Sequence, residues 1–152
     1  MSLLVSQPIL LVEDSPEDYE ITQRSLKSAG FSNRIQHCTD GDEALEYLVQ
    51  CKTFEGNEAA LYPGIILLDL NLPGTDGREV LAEIKADEVF TLIPVVVLST
   101  SKDDRDIEAC YALGANGYIS KSLSAKEFLQ AMIRLKEEWL DLGFSQKVGE
   151  LP

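Results

Sequence analysis

Histidine is nearly absent from this chain, with His37 alone among 152 residues. Cysteine is scarce: Cys38, Cys51 and Cys110 are widely spaced, odd in number and form no CxxC pair. Composition therefore argues against a His-rich transition-metal centre, a zinc site and a disulfide framework. A reduced, cytoplasmic setting is the simplest fit. Long apolar runs are missing too, and none approaches the ~20 residues of a membrane span. The opening Met-Ser-Leu-Leu-Val-Ser-Gln-Pro has neither the basic region nor the long apolar stretch of a signal peptide. Positive charge is in short supply, with 13 Lys and Arg against 26 Asp and Glu and a net charge of −13. Such a surface repels phosphodiester backbones and anionic lipid and favours cations or basic protein surfaces. Neither a nucleic-acid nor a membrane partner is expected.

What is present is an alternation of short apolar runs and longer helical patterns. Strands are predicted at 8–14, 34–39, 64–69, 94–99 and 117–120. Helices are predicted at 16–29, 41–52, 76–87, 102–113 and 124–142. Their boundaries carry local chemistry. Ser15, Asp40 and Ser124 stand at N-cap positions, Asp76 starts the third helix, Pro16 lies in a first turn, and Gly30 and Gly114 follow last turns. The runs Gly64–Asp69 and Pro94–Ser99 are apolar without alternation, as in strands buried on both faces. Strands joined by helices run parallel, with helices on both sides. The expected fold is a doubly wound α/β domain, an open five-stranded parallel sheet. It should span residues 8–142, with a short tail at 143–152 and no output domain. The irregular segment 53–63 reads either as variable surface or as a partner contact.

Sheets of this kind place their sites at the carboxyl ends of the strands. There the sequence puts Glu13 and Asp14, Asp69 followed by Leu-Asn-Leu-Pro-Gly-Thr-Asp-Gly, the hydroxyls Ser99, Thr100 and Ser101, and Lys121. Three carboxylates brought together repel one another unless a cation joins them. The natural occupant is a hard, oxygen-liganded ion, Mg2+. A carboxylate beside such an ion, with an ammonium and a hydroxyl opposite, is an arrangement for phosphoryl transfer.

In these motifs, over roughly 8–135, the chain resembles the receiver domain of two-component response regulators, a flavodoxin-like fold with strand order 2-1-3-4-5. The resemblance implies Asp69 as phosphoacceptor, Asp14 as a direct Mg2+ ligand and Glu13 as a water-mediated one. It implies that Asn71 offers its backbone carbonyl to the metal and that Ser99 and Lys121 hold the phosphoryl oxygens. Tyr118 matches the aromatic switch, and Asn71 and Ser101 stand where dephosphorylation is tuned. The family's Pro after the Lys is replaced by Ser122, so the Lys121–Ser122 peptide is either a strained cis bond or a trans loop. Asp69–Lys85, Ile93–Ser101, Lys121-Ser122 and Trp139-Leu140 resemble more closely the small regulators paired with phytochromes. That implies a light-sensing histidine kinase, such as a bacteriophytochrome, as partner. The protein would then be a phosphoacceptor signalling protein rather than an enzyme, catalysing only its own phosphotransfer and dephosphorylation.

Plainer readings stand beside these. Thr100 could replace Ser99 as donor, Tyr118 could be packing only, and His37 reads as structural. On the last helix, Phe128, Met132, Leu135, Trp139 and Leu142 form one apolar stripe and Leu129, Ile133 and Leu140 a second. A second stripe implies either a tail folding back or a homodimer through helix 4, strand 5 and helix 5. Competing functions fit less well. An Asp-nucleophile phosphohydrolase resembles D-x-D-x-T, and here Asn71 stands in place of the second acid. A flavin carrier needs a phosphate loop that Glu13-Asp14-Ser15-Pro16-Glu17-Asp18 would repel. A pseudo-receiver acting as a constitutive binding module is the remaining alternative.

Overall fold

The computed structural model of the chain describes residues 7–53 and 62–141. Five strands alternate with five helices. They are β1 (Ile9–Val12), α1 (Pro16–Ser28), β2 (Ile35–Cys38), α2 (Gly41–Thr53) and β3 (Ile65–Asp69). Then follow α3 (Gly77–Ala86), β4 (Val95–Ser99), α4 (Asp104–Ala112), β5 (Gly117–Ser120) and α5 (Ala125–Lys136). The strands form one parallel sheet, as expected from the alternation, in the order β2-β1-β3-β4-β5 that the resemblance implies.

The unbroken apolar runs of β1, β3 and β4 are explained by the two layers around them. Leu10, Val12, Ile66, Leu68, Val95 and Val97 face α2, α3 and α4, where Leu48, Leu81, Ile84 and Cys110 pack on them. Their neighbours Ile9, Leu11, Ile65, Leu67, Val96 and Leu98 face α1 and α5, against Leu26, Phe128, Met132 and Leu135. Alternate residues thus enter opposite cores, and no position in these strands is left for a polar side chain until the strand ends.

The caps form as their chemistry dictates. The Ser15, Asp76 and Ser124 side chains accept backbone N–H groups of the first turn, and Ser124 with Glu127 completes a capping box. Asp40 accepts from the Glu43 N–H at 2.8 Å. α4 starts two residues later than the sequence pattern suggests, because Asp103 supplies its cap. A 3-10 turn at Phe90–Leu92, not anticipated from periodicity, leads into β4.

The last helix also departs from expectation. It is α-helical only to Lys136 and widens into a π turn over Glu137–Asp141. The wider turn still seats Trp139 against the Phe128–Met132 cluster, so the first stripe keeps its core contact. In the second stripe Leu129 is half-buried and Ile133 exposed. Leu142 and residues 54–61 of the irregular segment lie outside the described residues. All three cysteines are buried and no disulfide joins them. Burial pushes the Cys38 thiol up to about 12, helped by the Glu43 and Asp40 carboxylates.

Candidate functional site

The carboxyl ends of β1, β3, β4 and β5 bring together most of the residues singled out in the sequence. Glu13 follows β1 and is almost wholly buried, while Asp14 beside it is exposed. Asp69 is the last residue of β3 and is only 2% exposed. Glu13, Asp14 and Asp69 each offer a carboxylate oxygen, and these oxygens lie within 4.8 Å of one another. The loop after β5 sends Lys121 back over them. Its Nζ lies 2.8 Å from Glu13 Oε1, 2.8 Å from Asp18 Oδ2 and 3.2 Å from Asp69 Oδ2.

Burial opposes the Lys121 ammonium, but the facing Asp18, Glu13 and Asp69 carboxylates outweigh it and hold its proton more firmly than in water. Glu13 moves the other way in charge. Burial, reinforced by Asp69, raises its carboxyl to about 7 in spite of Lys121. The Glu13 Oε1 atom, although near the ammonium, receives no well-directed hydrogen bond. A buried carboxylate oxygen without a directed donor, facing two further carboxylates, is a donor set that fits a hard divalent cation.

Asp18 is the participant that sequence reasoning missed. It stands in the first turn of α1, one turn after Asp14. That spacing was the available signal.

The D-L-N-L-P-G-T-D-G segment owes its composition to backbone demands. Gly74 has φ of +70°, where a side chain is strained. Gly77 meets the end of β3 so closely that a Cβ would lie 2.6 Å from both the Asp69 carbonyl oxygen and Leu70 Cα. The Asn71 N–H donates to Asp69 Oδ1 at 3.2 Å and orients that carboxylate, while the Asn71 side chain is exposed.

On the opposite wall Ser99 is buried and Thr100 exposed. Ser99 Oγ accepts from the Ser101 N–H at 3.1 Å. The half-buried Tyr118 donates its hydroxyl to the Ser101 carbonyl at 2.8 Å. The described peptide bonds are all trans, so Lys121 reaches the carboxylates without a cis bond at Ser122. Ser122 instead donates its hydroxyl to the Thr100 carbonyl at 3.2 Å, tying the β5 and β4 loops together. His37 stacks on Tyr19 at 3.7 Å between centroids and donates Nε2–H to the Glu13 carbonyl at 2.8 Å. This matches its reading as a structural residue. Beside Asp18 and Lys121, Ile21, Thr22, Leu123 and Phe128 line an apolar groove of about 250 Å³.

A parallel 2-1-3-4-5 sheet that gathers an acidic trio, a hydroxyl and a lysine at one edge is the layout of a phosphorylation-controlled signalling module. The family model of the response regulator receiver domain matches residues 9–133, and the chain belongs to that family. It is thus a response regulator protein of two-component signalling. It is 42% identical over 141 residues to the probable methanogenesis regulatory protein FilR2 of Methanothrix harundinacea, covering 93% of this chain and 87% of that one. It is 41% identical to the response regulator Rcp1 of Synechocystis over 88% of each chain. Among solved structures, that of the phosphorylated cyanobacterial phytochrome response regulator RcpA is 44% identical. It covers 91% of this chain and 96% of its own, with a TM-score of 0.77. The Mn2+-bound form of Rcp1 is similar with a TM-score of 0.75, covering 89% and 95% of the two chains.

Among the described residues no helix is long and apolar enough to cross a membrane.

Proposed function

We propose that Asp69 accepts a phosphoryl group from the phosphohistidine of a sensor histidine kinase, and that the modification changes a protein-binding surface. The observation that carries this reading is the Lys121 ammonium poised over Asp69 and Glu13, beside three carboxylates able to share a cation. An Asp69 oxygen attacks phosphorus, the phosphorus–nitrogen bond to the donor imidazole breaks, and the imidazole keeps the electron pair. Asp14 and Asp69 would hold Mg2+, with Glu13 acting through water and Asn71 offering its backbone carbonyl. When bound, the ion neutralises charge on the phosphoryl oxygens. Lys121 pairs with one of those oxygens and Ser99 donates its hydroxyl to another.

Support comes from the relatives, since RcpA has been solved phosphorylated and Rcp1 with Mn2+. The name of RcpA also supports a phytochrome as the cognate kinase. The apolar groove beside Lys121 gives the donor protein a place to dock next to the acceptor. Tyr118, joined to the β4–α4 loop through Ser101, carries the change to the β5 face. We assign the lifetime of the aspartyl phosphate to Asn71, which is exposed, and to Ser101. A homodimer through α4, β5 and α5 fits the same face, where β5 is an edge strand and Tyr111 and Ile133 are exposed.

Beryllofluoride with Mg2+, followed by 19F NMR, tests the acceptor. Wild type should show saturable, Mg2+-dependent bound fluoride, and Asp69→Ala should show none. No bound fluoride in wild type would turn the reading to a pseudo-receiver that binds partners constitutively.

A further inference from the structure

We infer that Asp106, on the first turn of α4, is a positioning residue for the Ser99 hydroxyl and acts through Ser101. The inference rests on the phosphoacceptor reading above and adds a residue to it.

Every polar group of Ser101 is committed. Its N–H donates to Ser99 Oγ at 3.1 Å, its carbonyl accepts from Tyr118, and its own hydroxyl donates to Asp106 Oδ2 at 2.7 Å. The same Ser101 Oγ accepts the N–H of Asp103, the α4 cap, at 3.2 Å. The hydroxyl of Ser101 is thus clamped between the cap and the first turn of α4, and a short bond to a carboxylate is the strongest link in that clamp.

The consequence is felt at Ser99. A serine hydroxyl has one hydrogen to give and two lone pairs to accept with. Ser99 is buried, and the Ser101 N–H occupies one lone pair. Among the described residues the Ser99 hydrogen has no acceptor, so the hydroxyl is held ready to donate and is not spent on the protein. Fixing Ser101 fixes the direction of that rotor. Asp106 itself is steadied from α3, since its Oδ1 lies 3.9 Å from Arg78 NH2, and Arg78 also pairs with the α3 cap Asp76 at 3.6 Å. The chain Arg78–Asp106–Ser101–Ser99 therefore links two helix N-termini to the wall of the site opposite Lys121.

Losing one charge-assisted hydrogen bond in such a chain should weaken donation to a phosphoryl oxygen by about fivefold. It should leave the metal carboxylates, which directly follow β1 and end β3, unaffected. The experiment measures beryllofluoride and Mg2+ affinities separately for wild type, Asp106→Ala, Asp106→Asn, Ser101→Ala and the Asp106→Ala/Ser101→Ala double variant. Asp106→Ala and Ser101→Ala should each bind beryllofluoride about fivefold more weakly, with Mg2+ affinity within about twofold of wild type. Asp106→Asn keeps an acceptor for the Ser101 hydroxyl and should restore most of the binding. The double variant should be no weaker than either single one, as for two ends of one link. Wild-type beryllofluoride affinity in both Asp106→Ala and Ser101→Ala, or additive losses in the double variant, would overturn the inference. Should Asp106→Ala not fold, Ser101→Ala removes the same bond from the other side and decides alone. Absence of binding in wild type would instead sink the acceptor reading, so the two failures are distinguishable.

Discussion

Lys121 is the residue on which the balance of charge at the site turns. It contacts three carboxylates, two of them on almost wholly buried residues, and it sets against them the only ammonium the site holds among the described residues. Lys121→Met should destabilise the metal-free protein by about 3 kcal/mol, because it leaves buried carboxylate charge without its partner. The same change should tighten Mg2+ binding, since a competing cation is gone. Urea unfolding with and without Mg2+ reads both effects, which must have opposite signs. Glu13 gives a pH signature of its own. Its folded carboxyl is raised from 4.5 to about 7, so the folded state holds the proton more firmly than the unfolded one. The resulting stability is complete below about pH 4.5 and is lost as pH rises through 7, a change of roughly 3 kcal/mol. Without metal, wild type should therefore lose stability across that window relative to Glu13→Gln. A pH-independent difference between the two would refute this. At the same scale, Asp14, Asp69 and Lys121 were legible from residue type and position after a strand. Asp18 and Asp106 were not, because each also suits the acidic first turn of a helix.

Elements carry these side chains to within bonding distance, and the closest fit is α3 against the end of β3. A Cβ on Gly77 would overlap backbone atoms of Asp69 and Leu70, neither of which has a rotamer to escape into. Gly77→Ala should cost about 2–3 kcal/mol and displace the Asp69 carboxylate as well. Thermal unfolding and beryllofluoride binding should both suffer, whereas a stability loss with unchanged binding would show that the strand end is unaffected. The helix starts were readable because Ser and Asp caps act through local bonds of their own backbone. The end of α5 was less so. Periodicity at 3.6 residues places Trp139 on the core stripe, and it does reach the core, but through a π turn that the apolar pattern does not encode. The Phe90–Leu92 turn escaped for the same reason: three residues are too few to show a period.

At the scale of the whole molecule, the two edge strands β2 and β5 differ in what flanks them. β2 borders the acidic side chains of Asp40, Asp42, Glu43 and Glu46. β5 borders Tyr111, Arg134, Glu138 and Trp139. Like charges meeting across the first edge would oppose self-association, while the mixed second edge permits it. Sedimentation should show a dimer at tens of micromolar, and Ile133→Glu should shift it towards monomer with little loss of stability, since Ile133 is 39% exposed. A wild-type monomer, with and without beryllofluoride, would end the dimer proposal. The fold was open to inspection in the chain itself, because five apolar runs separated by helices admit few parallel sheets with helices on both faces. Residue type and order alone were enough to mark which strand ends carry chemistry. Only folding decided that Lys121 answers to Asp18 as well as Glu13, that Ser122 ties its loop to Thr100 with a trans peptide, and that Ser101 is clamped by Asp106. Those are distances between atoms far apart along the chain or on different elements. Local propensity and hydrophobic period carry no information about them.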